Sequence, residues 1–136
     1  MTFKSWLNSQ GVPFKWLLGD AAGNADFVVD SSTSVGIKTV KRVVKPQAGY
    51  TMQVTAKHAG EPVDHFFFLS YEYTDQTRVM WLLGGVERQH FLSNAKFYRA
   101  GEWIHPRYQV KSHDIYNTDV KHFIPPGDWL KVVTGK

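Results

Sequence analysis

The sequence predicts an α+β (mixed α/β) fold in which a central mixed β-sheet is flanked by short helices. Segments rich in aromatic and β-branched residues alternate with short helical stretches, in the order helix, strands, helix, strands, helix. The nearly continuous apolar run HFFFLSY, residues 65–71, indicates a strand that is buried on both faces. The chain has 136 residues, 43% of them hydrophobic, with no internal repeat or long linker. These properties predict one domain over residues 1–136 with a buried core.

The first predicted elements are a short helix and a brief strand. The helix begins at SWLN, and Gly11 and Pro13 end it. The segment FKWLL, residues 14–18, predicts the strand, and GDAAGNA, residues 19–25, predicts a loop.

Two further strands and a helix follow in the first half. The segments DFVVD, residues 26–30, and VGIKTVKRVV, residues 35–44, predict strands joined by the polar turn SSTS. The segment YTMQVTAKHAG, residues 50–60, predicts a short helix with Thr51 as its N-cap and Gly60 at or just past its end.

The second half predicts a hairpin, a helix, a further strand and a terminal helix. The helices are expected to pack through Phe91 and Leu92 and through Trp129 and Leu130. The predicted elements are strands over 64–73 and 78–86 joined by the turn TDQT, a helix over 86–98, a strand or extended edge over 108–116, and a helix or half-turn over 125–133.

Composition favours a polyanionic partner. The chain carries 16 basic and 12 acidic residues, a net charge of +4, and residues 31–60 contain five basic residues and no acid. Because there is no cysteine, disulfides and thiolate metal sites are excluded, and the six histidines lack the spacing of zinc ligands. With no membrane-spanning run and no signal-peptide core, we expect a cytoplasmic protein without a membrane partner.

The strands over 26–30 and 35–44 carry residues suited to phosphodiester hydrolysis. Asp26 opens the first strand and Lys38 lies on the second, so the two side chains meet across an antiparallel ladder if the turn centres on residues 31–34. A magnesium ion held by carboxylates polarises a phosphate oxygen and acidifies the attacking water. A lysine beside it positions that water or neutralises developing charge.

The pattern ADFVV, a turn, VGIKTVKR, a helix with a glutamine and a long aromatic strand resembles the PD-(D/E)xK nuclease superfamily, over roughly residues 20–85. This superfamily includes restriction-endonuclease-like and Holliday-junction-resolvase-like proteins, and its motif is an Asp opening one strand followed by (D/E)-x-Lys on the next. The resemblance implies a restriction endonuclease-like core and an endonuclease that uses Mg²⁺ or Mn²⁺ to hydrolyse DNA. It implies that Asp26 and the backbone carbonyl of Ile37 bind the metal ion and that Lys38 is the catalytic lysine.

The sequence departs from that motif at Gly36, which stands where the second acid is expected. Residues 1–19 also contain no acid, so the carboxylate that many members place on their first helix is missing. In some members the second acid comes from the following helix or a neighbouring loop. Asp20, on a glycine-flanked loop, is the preferred candidate and Asp30 the other, although Asp30 also fits the start of the turn. If no other residue supplies the second acid, the site has lost its catalytic activity.

The predicted nucleic-acid-binding residues lie on the strand that carries Lys38 and on the helix predicted to follow it. On the strand, Lys38 and Arg42 share one face and Lys41 and Lys45 the other. An exposed basic strand edge, a solvated helix face and a surface histidine are the alternative interpretations of these positions. The full set is Lys41, Arg42, Lys45, Gln53, Lys57 and His58.

These observations favour a magnesium-dependent phosphodiesterase that cuts DNA, and a homodimer would help so small a chain to engage a duplex. One alternative is a non-catalytic nucleic-acid-binding module with a degenerate nuclease site. Another is a structural or interaction protein whose aromatic strands form a dimer interface. Trp103 and Tyr108 lie in a segment broken by glycine and proline, where they are either exposed to a nucleic acid or part of the fold.

Overall fold

A computed structural model describes residues 2–17, 25–42, 45–46, 51–106 and 108–135. The α-helices are α1 Phe3–Ser9, α2 Ala56–Ala59, α3 Arg88–Asn94 and α4 Pro126–Thr134. The strands are β1 Phe14–Trp16, β2 Phe27–Val29, β3 Thr33–Arg42, β4 Thr51–Thr55, β5 His65–Tyr73, β6 Arg78–Glu87, β7 Lys96–Tyr98, β8 Trp103–His105, β9 Tyr108–Gln109 and β10 Ile115–Asp119. A 3₁₀ turn, Val120–His122, precedes the last helix.

The largest sheet has five strands in the order β1-β2-β3-β5-β6. It is mixed, because β3 and β5 run parallel while the other neighbours are antiparallel. The chain between β3 and β5 contains β4 and α2, and β4 belongs to a second sheet of order β4-β10-β7. The predicted α+β class with a mixed sheet is confirmed, whereas the second sheet was not predicted.

Both faces of the large sheet are covered, as the sequence of β5 predicted. Alternate side chains of β5 point to opposite faces, and Phe66, Phe67 and Phe68 have no exposed surface. On one face Phe67 packs in a cluster with residues of α1 and α4, and on the other Phe66 and Phe68 pack with residues of β4 and α3. The two clusters hold the large sheet between the two terminal helices and the smaller sheet.

Helix α4 is joined to the large sheet through Trp129. Its indole Nε1 donates to Nδ1 of His65 at 3.1 Å, and its side chain is fully buried. A Cβ added at Gly85 would lie 2.3 Å from that Nε1, so only glycine leaves room for the indole. Burial lowers the pKa of His65, while Glu87 and Asp64 act in the opposite direction.

The prediction of a helix over residues 50–60 is wrong for the first half of that segment. Residues 51–55 form strand β4, whose side chains Met52 and Val54 point into the core while Gln53 points outward. This alternation has the period of a strand, and antiparallel pairing with β10 outweighs the local helical preference.

The helical part of this segment is the single turn α2. Thr55, not Thr51, is its N-cap, with Oγ1 accepting from the backbone N–H of His58. Gly60 is the C-cap, which confirms the predicted end.

The segment over 108–116 also differs from its prediction. It contains two strands, β9 and β10, and β10 is the central strand of the second sheet rather than an edge. Strand β6 continues to Glu87, so α3 begins at Arg88, two residues later than predicted. Within the described residues, no helix is long and apolar enough to cross a membrane.

Candidate active site

A cavity of about 390 Å³ lies where β3, β4 and α2 meet. Both members of the predicted catalytic pair, Asp26 and Lys38, line it. The remaining lining residues come from all three elements and from the segment after α2, and they are Ile37, Thr39, Gln53, Val54, Thr55, His58 and Glu61. The cavity therefore collects two carboxylates, one ammonium and several hydroxyl and amide groups.

Asp26 is held in place by backbone bonds on both sides. Its carbonyl accepts from the N–H of Leu17 at 2.9 Å, and its N–H donates to the carbonyl of Val35 at 3.0 Å. Its carboxylate Oδ2 accepts from the N–H of Ile37 at 2.7 Å. Because the N–H and C=O of a strand residue point to the same edge, the Ile37 carbonyl faces the side of β3 that carries Asp26.

The side chain of Lys38 points to the opposite face of β3 from that of Ile37, towards β4 and α2. Its Nζ is 3.2 Å from both Oε1 and Oε2 of Glu61. Both side chains are only 13% exposed, so the pair is recessed in the cavity floor. Glu61 follows the C-cap of α2 directly, and its N–H donates to the carbonyl of His58 at 3.1 Å.

Glu61 approaches β3 beside Gly36. A Cβ added at Gly36 would lie 3.5 Å from Glu61 Oε2 and 3.3 Å from a ring carbon of Phe66. The carboxylate of Glu61 thus approaches β3 at the residue where a side chain of the (D/E)-x-Lys pattern would begin. A glycine at 36 leaves the space that this carboxylate and the phenyl ring occupy.

Of the two acids named from the sequence as replacements, only Asp30 lies within the described residues, and it does not supply the second carboxylate. Asp30 lies in the turn between β2 and β3 with φ of 53°, and its N–H donates to the carbonyl of Pro13. It does not line the cavity. Asp20 lies outside the described residues.

Sequence reasoning missed Glu61, although a signal for it existed. Glu61 is the first acid after Asp30 along the chain, and it directly follows the glycine that ends a predicted helix. A second acid from the following helix or a neighbouring loop was one of the open alternatives.

The basic residues of β3 divide between its two faces as predicted. Nη2 of Arg42 donates to the carbonyl of Thr51 at 2.8 Å, on the same side as Lys38. Lys41 lies on the other face, with its Nζ 4.0 Å from the ring centre of Tyr73. Lys45 lies beyond the strand, 4.9 Å from the ring centre of Trp81. Neither Lys41 nor Lys45 lines the cavity.

Gln53, Lys57 and His58 do not share the one helix on which the sequence predicted them. Gln53 belongs to strand β4 and lines the cavity, whereas Lys57 lies on α2 and lines a separate depression. His58 also lines the cavity, with its side chain 55% exposed and Nδ1 3.9 Å from Glu61 Oε1. Protonation of His58 would therefore add a second cation beside Glu61.

The donors at this site are oxygens, two from carboxylates and one from a backbone carbonyl. Within the described parts of the chain, no three His, Cys, Asp or Glu side chains are grouped so that they could hold a metal ion. A donor set with two carboxylates still matches Mg²⁺, which keeps several waters and is commonly bound through one or two protein carboxylates together with substrate phosphate.

Comparisons with protein-family models, with curated proteins and with solved structures found no match to this chain. Its function is therefore inferred from the geometry of the cavity. The decisive features are the carboxylate of Asp26 at the edge of β3 and the Lys38–Glu61 pair on the adjoining face.

Proposed function

We infer that this chain is a metal-dependent nuclease that hydrolyses DNA phosphodiester bonds in the cavity between β3 and α2. The observation that carries this proposal is the position of Glu61. Its carboxylate stands beside Gly36 and Lys38, so a second acid is present where the motif lacks one. Asp26 lines the same cavity, which completes a pair of carboxylates with a lysine.

The order of the elements supports a restriction endonuclease-like core. Asp26 immediately precedes β2, Lys38 lies on the antiparallel strand β3, and strand β4, the single-turn helix α2 and the long aromatic strand β5 follow. This is the order in which the motif of the PD-(D/E)xK superfamily presents its residues. The second acid in this chain comes from the segment after α2 rather than from β3.

The residues of the cavity fit a magnesium or manganese ion. Asp26, Glu61 and the Ile37 carbonyl would hold the ion, and one carboxylate oxygen of Asp26 has no hydrogen-bond donor among the described residues. When bound, the ion supplies a Lewis acid for the phosphate and lowers the pKa of a water. Only oxygen donors are involved, as Mg²⁺ prefers.

Each side chain then has a role that follows from its place. Asp26 is fixed by three backbone contacts, so its carboxylate is preorganised and loses little entropy when it binds a cation. Lys38 carries its ammonium into the cavity floor, where little solvent screens it, and neutralises charge that develops on the phosphate. Gln53 and Thr55 line the wall and supply hydrogen-bond donors to phosphate oxygens.

One observation favours the second candidate, a non-catalytic nucleic-acid-binding module. The ammonium of Lys38 is paired with both oxygens of Glu61. In a binding module this closed pair would persist, and the basic surface alone would contact the phosphate backbone. In a nuclease, Glu61 must turn from Lys38 towards a cation.

Cleavage of labelled DNA separates the two candidates. We expect cleavage in Mg²⁺ or Mn²⁺ that EDTA stops. Asp26→Asn and Lys38→Met should each lower the rate at least about 100-fold, because the first removes a ligand of the ion and the second removes a cation that stabilises charge on the reacting phosphate. Asp75→Asn, in the exposed turn between β5 and β6, is the matched control and should leave the rate unchanged. Thermal unfolding of every variant verifies that it is folded.

The opposite result has a definite form. If the folded wild-type protein cuts no DNA in either metal but binds it with an affinity that falls with salt and ignores EDTA, the chain is the binding module. If Asp26→Asn cuts as fast as the wild type, the assignment of the metal site is wrong.

A further inference from the structure

The active-site cavity continues into a second cavity of about 400 Å³ beneath the β8–β9 hairpin. Three residues, Thr39, Gln53 and Thr55, line both cavities, so together they form one groove. The groove runs from the Lys38–Glu61 pair, over the exposed face of β4, to the hairpin. None of the roles proposed above for the active site uses this second half.

The hairpin is attached to the groove through Tyr108. The phenol of Tyr108 donates to Oε1 of Gln53 at 3.3 Å, and Ile104, His105 and Tyr108 form the wall of the second cavity. Tyr108 remains 38% exposed, and Trp103 on the paired strand is 59% exposed. Large aromatic side chains held this far into solvent gain little from the core, which is typical of a contact surface.

The floor and the wall of the second cavity differ in chemistry. The floor carries the hydroxyl groups of Thr51 and Thr55 and the guanidinium of Arg42, all suited to phosphate oxygens. The wall carries the aromatic ring of Tyr108, which is suited to the face of a base. A polar floor with an aromatic wall is the arrangement with which proteins hold a single nucleic-acid strand.

The depth of the site favours an unpaired strand over a duplex. Lys38 and Glu61 are recessed, with only 13% of each side chain exposed. A phosphate must therefore enter the cavity to reach them. In a duplex the bases are stacked and paired, so none is available to the ring of Tyr108 or Trp103 without being extruded, at a cost of a few kcal/mol.

We propose that this groove takes an unpaired DNA strand, with the β8–β9 hairpin as a stacking arm that holds the bases next to the scissile phosphate. The proposal rests on the nuclease function inferred above and names its substrate class. The strand lies with its phosphates over Thr55, Gln53 and Arg42 and with a base against Tyr108.

Binding in EDTA tests this independently of cleavage. We would measure fluorescence anisotropy of a labelled oligonucleotide, alone and annealed to its complement. The single strand should bind at least about tenfold more tightly than the duplex. Tyr108→Ala should weaken binding of the single strand about 5- to 150-fold, which corresponds to about 1–3 kcal/mol for one base stacked on an aromatic side chain.

Two further variants identify the cause. Tyr73 has the same 38% exposure but lies on β5 outside the groove, so Tyr73→Ala should leave binding within about twofold of the wild type. Tyr108→Phe keeps the ring and loses only the bond to Gln53, so it should retain most of the affinity.

The proposal is overturned if the duplex binds as tightly as the single strand, or if Tyr108→Ala weakens binding no more than Tyr73→Ala. Experiment can distinguish failure of this proposal from failure of the proposed nuclease function. A protein that cuts duplex DNA faster than single strands refutes the groove's assignment and keeps the nuclease. One that binds single strands through Tyr108 without cutting them refutes the nuclease and keeps the groove.

Discussion

Moving the second carboxylate from residue 61 back to residue 36 probes the site most specifically. Glu61→Gln removes one of two carboxylates, so we expect the rate of DNA cleavage to fall at least about 100-fold. It also removes the partner of the Lys38 ammonium. Loss of one partner costs about 3–5 kcal/mol for a fully buried pair and under about 1 kcal/mol at the surface. With 13% exposure of both side chains, we expect a loss of about 1–3 kcal/mol in the free energy of unfolding.

The double variant Gly36→Glu, Glu61→Gln should recover activity. A Cβ at residue 36 lies 3.5 Å from the present position of Glu61 Oε2, so the new side chain reaches the same space. It also lies 3.3 Å from the ring of Phe66, so this ring and the amide introduced at residue 61 must both move to make room for the new side chain. We expect a further cost of about 1–3 kcal/mol in stability from this overpacking.

Cleavage rates in Mg²⁺ and thermal unfolding measure both effects. The double variant should cut at least about tenfold faster than Glu61→Gln alone, because it restores a carboxylate that can hold the ion. Gly127→Glu combined with Glu61→Gln is the matched control, since residue 127 has open space around it, and it should recover nothing. Full activity in Glu61→Gln would refute the reasoning, as would a folded double variant no more active than Glu61→Gln.

Two predictions concern the contact between α4 and the large sheet. Because burial lowers the pKa of His65, the unfolded state, with a pKa near 6.5, binds a proton first as the pH falls. The melting temperature should therefore drop as the pH is lowered from about 7.5 to about 5. His65→Gln should reduce that drop. An equal drop in the variant and the wild type would contradict this prediction. Gly85→Ala should lower the free energy of unfolding by at least about 3 kcal/mol, because the new Cβ displaces the buried Trp129. Gly127→Ala, the control, should not lower it. Equal melting temperatures for the two variants would contradict this account of the packing.

Much of the large sheet was predictable from local pattern. The hairpin of β2 and β3 and the buried strand β5 show their apolar periodicity directly in the sequence. Strand β4 was not predictable in this way. Met52, Gln53 and Val54 have no strong local preference for helix or strand, and pairing with β10, more than sixty residues along the chain, decides their conformation.

The site divides in the same way. Asp26 and Lys38 lie on neighbouring strands of one hairpin, so local spacing placed both at one cavity. Glu61 reaches Lys38 only because β3 and β5 are parallel, which returns the chain over one face of the sheet. The position of Glu61 just after a predicted helix end was a sequence signal for the acid, but its contact with Lys38, 23 residues away, depends on the crossover. Asp30, in the turn, shows that proximity in sequence is not sufficient, because it lies close to Asp26 along the chain but does not line the cavity.

The most direct test of the account is an anomalous difference map from a crystal of this protein soaked in Mn²⁺. The account predicts a single strong peak in the cavity, about 2.1 Å from a carboxylate oxygen of Asp26 and of Glu61, with Lys38 no longer paired with both oxygens of Glu61. Crystals that take up Mn²⁺ elsewhere, with no peak beside Asp26 and with the Lys38–Glu61 pair intact, would contradict it.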